Sequence, residues 1–335
     1  MRPYVPPLEG RADLLRLDFN ENTLGAPPKA LEALRQAIGG SDVPCYPEYG
    51  ATSALAAHFG VAPEQMVLTN GTDEALQLLI QAVTPPGGAV VIPTPTYAMA
   101  RFYAEVIGAQ VVEVPYANPD LRFPLLDVIE ASRSAGVTYL ANPNNPTGTL
   151  LALDDIARIA ACGSLVIVDE AYFEFSGLTA LGLIEPFRNV VVTRTFSKAF
   201  GLAGLRIGAI LASPDLAAQL RKARSPYSVN ALAVAAALGA VGDTDWVRAY
   251  AAESRASVAM LASELTALGH KVWPSTGNFV LFDGGPESAR RIHDLREKHA
   301  VLVRDRSHDV PNAVRVTAGT LDQTRTFLEA WRATR

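Results

Sequence analysis

Lys198 stands in the stretch Thr-Arg-Thr-Phe-Ser-Lys-Ala-Phe-Gly-Leu-Ala-Gly-Leu-Arg-Ile-Gly, residues 193–208, of a chain that carries 5 lysines against 24 arginines. The residues after it are small, apolar and turn-forming, an odd setting for a solvating charge. Asp169 ends the apolar run Leu-Val-Ile-Val-Asp-Glu-Ala-Tyr. A carboxylate there costs free energy unless a cation or donors meet it. The protonated ring nitrogen of a cofactor would be such a partner, and a helix cap or a structural ion pair would serve as well. In Val-Leu-Thr-Asn-Gly-Thr-Asp-Glu-Ala-Leu, a strand runs to Thr69, Gly71 and Thr72 turn, and Asp73 opens a helix. That leaves free N–H groups at the positive end of a helix dipole, which makes either a phosphate cradle or a plain N-cap turn. Asn142, Asn144 and Asn145 lie in a proline-locked turn and could donate to an oxygen.

These signals need a frame that presents strand ends. Apolar strand-like runs fall at residues 66–69, 89–92, 110–114, 137–141, 165–168, 190–193 and 206–211, with amphipathic helices at 73–83, 153–160 and 217–223. Short apolar strands alternating with helices predict an α/β fold with a mostly parallel central sheet covered on both faces. The polar signals then sit at the C-terminal ends of strands, where open α/β sheets place ligands. From about Val241 the pattern changes to a long helix, strands at 270–273, 279–282 and 313–317, and helices at 287–299 and 322–332. The expected organisation is an N-terminal arm over residues 1–30 belonging to a small α+β domain, a large domain over 31–240 and the remainder of the small domain over 241–335. An alanine-rich helix is expected just before that boundary.

With 335 residues, 49% hydrophobic and 19% charged, the chain is ample for a buried core. A net charge of −5 without a basic run gives no footprint for nucleic acid or an anionic membrane. Residues 1–11 are proline-broken and lack the apolar core of a signal peptide, and no apolar run is long enough to span a bilayer, so a cytoplasmic location is expected. Cys45 and Cys162 are expected as reduced thiols, and His58, His270, His293 and His299 have no paired ligands, so no metal is expected.

Taken in order, Asn-Pro-Asn-Asn-Pro-Thr-Gly at 142–148, Asp-Glu-Ala-Tyr at 169–172 and Thr-Phe-Ser-Lys-Ala-Phe-Gly-Leu-Ala-Gly-Leu-Arg-Ile-Gly at 195–208 resemble the signatures of fold-type I pyridoxal-phosphate aminotransferases. Within that class the chain resembles the histidinol-phosphate aminotransferases. Further likeness lies in Tyr-Val-Pro-Pro-Leu-Glu-Gly-Arg at 4–11, Leu-Asp-Phe-Asn-Glu-Asn at 17–22, Tyr-Pro-Glu-Tyr-Gly at 46–50, Thr-Pro-Thr-Tyr-Ala-Met-Ala at 94–100 and Val-Arg-Val-Thr-Ala-Gly-Thr at 314–320. It therefore covers nearly the whole chain.

The resemblance implies that Lys198 holds pyridoxal 5'-phosphate covalently and, once displaced by the substrate amine, moves the Cα proton. It implies that Thr195, Ser197 and Arg206, with the amides of Gly71, Thr72 and Asp73, bind the phosphate. Asp169 would pair with the pyridinium, and Asn145 and Tyr172 would donate to the phenolic oxygen. Tyr97 would stack on the ring, and Tyr46 would reach the phosphate from the other subunit of a homodimer. Arg315 would clamp a substrate carboxylate, Arg304 would meet the substrate phosphate with Arg306 or His308 assisting, and Asn20 would help close the arm over the site. The implied activity is amine transfer from histidinol phosphate to 2-oxoglutarate. Thr23-Leu24 stands where many members have Pro-Tyr. An aromatic amino acid aminotransferase is therefore the alternative, followed by a phosphothreonine decarboxylase and a non-catalytic regulatory domain.

Overall fold

The computed structural model describes residues 9–40 and 43–334. The first eight residues of the expected arm, with residues 4–8 of the 4–11 motif, lie outside the described residues. The strands are β1 (Leu15–Arg16), β2 (Met66–Thr69), β3 (Ala89–Thr94), β4 (Gln110–Pro115), β5 (Val137–Ala141), β6 (Leu165–Asp169), β7 (Val190–Thr195), β8 (Gly208–Leu211), β9 (Val272–Trp273), β10 (Phe279–Asp283), β11 (Val301–Leu302), β12 (Arg304–Asp305) and β13 (Ala313–Thr317).

Seven of them form one sheet in the order β2-β8-β7-β6-β5-β3-β4. Six run the same way, and β8 is antiparallel to both its neighbours. Every residue of β5, β6, β7 and β8 is buried, which is why their runs are mainly apolar on both faces rather than alternating, with Thr193, Arg194 and Thr195 left to the end of β7. Val166, Val168, Val190 and Val192 face one core with the helices Leu153–Ala160 and Ala231–Val241. Ile167, Val191 and Tyr139 face the other, beneath the helices Gly71–Val83 and Pro214–Ala223.

Two expected boundaries move for physical reasons. The run predicted as a strand from residue 206 begins at Gly208, because Arg206 takes a left-handed conformation (φ 58°) that ends the preceding turn. The strand predicted at 270–273 shortens to Val272–Trp273, where the His270 ring instead bonds the Asp283 carbonyl and the Trp331 indole.

The second sheet is antiparallel, in the order β12-β13-β10-β9. Its core is Val280, Phe282, Val314 and Val316 against Leu261 and Leu265 of the helix Thr244–Ala267 and Phe327 and Trp331 of the helix Leu321–Ala333. β1 pairs in parallel with β11, Leu15 opposite Val301, so the N-terminal segment runs along this half of the molecule before passing the strand ends of the large sheet.

Candidate active site

A cavity of about 560 Å³ opens at the C-terminal ends of β5, β6 and β7. Thr72, Asp73, Tyr97, Asn145, Asp169, Tyr172, Thr195, Ser197, Lys198, Arg206, Arg304 and Arg315 all line it. Gly71, Asn20 and Tyr46 do not. Gly71 lies behind Arg206, where a Cβ would come 2.6 Å from Nη2, and its φ of 73° further favours glycine. Asn20 is wholly buried behind Tyr172, and Tyr46 is exposed, stacked on Tyr227 at 4.3 Å. Arg306 lines the cavity, whereas His308 is exposed beside Asp309.

The strand pleat sets the site's charge. Asp169 and Thr193 are cross-strand neighbours on β6 and β7, and Thr193 donates to Oδ1 at 3.0 Å while the Tyr139 hydroxyl donates to Oδ2 at 3.0 Å. Burial pushes the Asp169 carboxyl up, and these hydrogen bonds oppose the shift. Both side-chain donors, Tyr139 and Thr193, are neutral, so they meet the carboxylate with dipoles rather than a charge. One residue on, the pleat turns Glu170 and Arg194 to the other face, where they form a buried ion pair at 2.7 Å with the guanidinium 3.5 Å above Phe173.

Across the cavity, burial and then the Arg315 charge bring the Lys198 ammonium down to about 8, and Nζ donates to the Phe19 carbonyl at 2.9 Å. Arg206 Nη2 pairs with Asp73 at 3.0 Å in the first turn of the helix Gly71–Val83, and the same carboxylate accepts from Tyr97 at 2.9 Å. Asn145 Oδ1 accepts from Arg315 Nη1 at 2.6 Å, which leaves its amide nitrogen to donate elsewhere. Tyr172 accepts from Asn20 Nδ2 at 2.9 Å and keeps its own proton for another acceptor. Arg304 and Arg315 are direct cross-strand partners on β12 and β13.

Such a site joins a reactive amine, an anion-binding corner and a buried carboxylate suited to a cationic ring. The family model for aminotransferase class I and II matches residues 12–330. The chain belongs to the class I and II aminotransferases. As a member of that family it is 40% identical to the histidinol-phosphate aminotransferase of Symbiobacterium thermophilum, over 99% of this chain and 96% of that one. It is 36% identical to histidinol-phosphate aminotransferase 1 of Carboxydothermus hydrogenoformans, over 98% and 95%. The crystal structure of histidinol-phosphate aminotransferase from Sinorhizobium meliloti in complex with pyridoxal-5'-phosphate superposes with a TM-score of 0.89 at 28% identity, covering 100% of this chain and 96% of that one.

This aminotransferase has site residues that the sequence did not single out. Tyr139 is one, and its signal was the period-2 alternation that puts it on the Asp169 face of the adjacent strand. Arg11, Asp18, Phe19 and Glu21 are others. Arg11 holds Asp18 through Nε at 3.2 Å and Nη2 at 2.8 Å, reaches Glu21 at 2.8 Å, and lies 4.2 Å above the Phe19 ring. The Asp18 carbonyl in turn accepts from Arg315. Among the described residues no cluster of three or more His, Cys, Asp or Glu could hold a metal ion, and no helix is long and apolar enough to cross a membrane.

Proposed function

We propose that the protein is a pyridoxal-5'-phosphate-dependent aminotransferase that moves the amine of histidinol phosphate to 2-oxoglutarate, working as a homodimer in the cytoplasm. The observation that carries the reading is the pairing, across one cavity, of Lys198, its ammonium displaced to about 8, with Asp169, a buried carboxylate met by neutral donors. The names of the relatives supply the substrate.

The residues fit the cofactor. Asp169 would hold its ring nitrogen in the charged form, and Arg206, Thr195, Ser197 and the amides of Gly71, Thr72 and Asp73 would take its phosphate. Asn145 and Tyr172 would donate to its phenolic oxygen, with Tyr97 against the ring. When bound, pyridoxal 5'-phosphate supplies a carbonyl carbon for the amine and a ring that delocalises the electrons left at Cα. Lys198, partly neutral near pH 7, is nucleophilic enough to hold that carbonyl carbon, and once displaced it is a base of suitable strength for the Cα proton. The Phe19 carbonyl gives the freed amine a fixed acceptor.

Histidinol phosphate has no carboxylate, so the arginine that meets 2-oxoglutarate must meet a phosphate in the other half-reaction. Arg315 would serve both, with Arg304 opposite it on the neighbouring strand and Asn20 holding the arm against the site. Tyr46, exposed beside Tyr227, would complete the phosphate site of the other subunit. The large and small domains would divide near residue 240, with the arm assigned to the small one.

Absorbance of the loaded protein tests the reading. Histidinol phosphate should convert the imine band to a pyridoxamine-like spectrum, and 2-oxoglutarate should restore it. Leu24, where many members carry tyrosine, favours a second reading as an aromatic amino acid aminotransferase. Conversion by phenylalanine and not by histidinol phosphate would establish that one instead.

A further inference from the structure

The cavity wall is unevenly charged. Arg304, Arg306 and Arg315 gather on one side, and of the three carboxylates, Asp73 is engaged by Arg206 and Tyr97 and Asp169 by Tyr139 and Thr193. The third is Glu21. It lies on the N-terminal segment next to Phe19, half-buried, with Oε2 fixed by Arg11 Nη2 at 2.8 Å. Oε1 has no hydrogen bond among the described residues. Its charge reaches Lys198, where it acts against the downward shift.

A substrate with a phosphate at one end, an amine in the middle and an imidazole at the other presents an anion, the reacting group and an N–H donor. The arginines complement the first and Lys198 marks the second. We infer that Glu21 is a specificity-determining residue that accepts the N–H of the substrate imidazole, held in position by Arg11. This rests on the histidinol-phosphate reading above and adds a recognition site to it. A half-buried acceptor without a donor penalises any ligand that covers it with hydrocarbon, so the same carboxylate that favours an imidazole disfavours a phenyl ring. Arg11 holds the carboxylate in one orientation, and through Asp18 and Phe19 it fixes the backbone on which Glu21 stands.

The test measures both half-reactions in single turnover on the loaded native protein and on the Glu21→Gln and Glu21→Ala variants. The readout is the ratio of kcat/KM for histidinol phosphate to that for 2-oxoglutarate, which has no imidazole. Glu21→Ala should lower this ratio about ten- to hundred-fold, the range for losing a hydrogen bond to a charged group. Glu21→Gln keeps an acceptor oxygen in the same shape and should recover part of the loss. The preference for phenylalanine over histidinol phosphate should rise in Glu21→Ala. Equal losses in both half-reactions would make Glu21 an architectural partner of Arg11 and overturn the inference. An unchanged ratio would overturn it too, with native turnover of histidinol phosphate leaving the broader reading intact. Failure of the native protein to turn over histidinol phosphate would remove both.

Discussion

Capture of an aldehyde by Lys198 can be worked out from its surroundings. The ammonium sits at about 8 instead of 10.5 because burial, followed by the Arg315 charge, disfavours the proton. At pH 7 an amine at the first value is about one-tenth neutral and at the second about 0.03%, so Lys198 holds about 300 times more free amine than an ordinary lysine. Cofactor-free protein should be exposed briefly to pyridoxal, which lacks the phosphate and so reports amine reactivity alone. Reductive trapping from pH 6 to 10 and peptide mass mapping across all five lysines would follow. Label should collect on Lys198 and rise with a midpoint near 8, and Arg315→Met, by removing a neighbouring positive charge, should move that midpoint upward. Label spread over Lys29, Lys222, Lys271 and Lys298 according to exposure, or a midpoint near 10, would refute the reasoning. The sign for stability follows. Between the folded and unfolded values the unfolded chain binds the extra proton, so the cofactor-free fold gains stability as pH rises from about 8 to 10.5.

Asp169→Asn retains the shape but removes the charge, and kcat should fall about ten- to hundred-fold or more with the melting temperature little changed. Arg194→Met leaves Glu170 buried without its cation and should cost about 3–5 kcal/mol in urea unfolding. Burial already raises the Glu170 carboxyl, so the loss should be smaller near pH 5, where the stranded group can take a proton, than at pH 8; a deficit that grows on acidification would contradict this. Gly201 has φ 65°, and a Cβ there would run into the Gly25 carbonyl, so Gly201→Ala should destabilise by about 1–3 kcal/mol in the same assay and shift the arm beside Lys198.

The α/β class and most of the large sheet were legible because fully buried parallel strands are continuously apolar and leave their polar residues at the ends, as at Thr69, Asp169 and Thr195. Lys198 stood out for the same reason, as a charge in a small apolar turn. The reversal of β8 was not legible, since an apolar run of four residues carries no direction. Nor was the segment from Arg11 to Glu21, whose two-residue strand is recognisable only by its pairing with residues 301 and 302. Arg304 and Arg315 read as separate signals 11 positions apart, and only the β12–β13 register makes them neighbours. Sequence proximity also suggested that Arg306 or His308 assists Arg304; both side chains meet the Asp309 carboxylate, and only Arg306 lines the cavity.

The parallel pairing of Leu15 with Val301 has a consequence for synthesis. At about 5–20 residues per second, roughly 15–60 s separate the emergence of these two positions. The large sheet needs nothing beyond Leu211 to form its ladder, so Asp169, Lys198 and Arg206 can be assembled while the segment bearing Phe19 and Glu21 still lacks its strand partner. Closing that contact is among the longest-range events in the chain and comes late. A nascent chain can therefore complete the Asp169, Lys198 and Arg206 side of the cavity well before the Phe19 and Glu21 side, and the order of translation becomes the order in which the walls of the site are built.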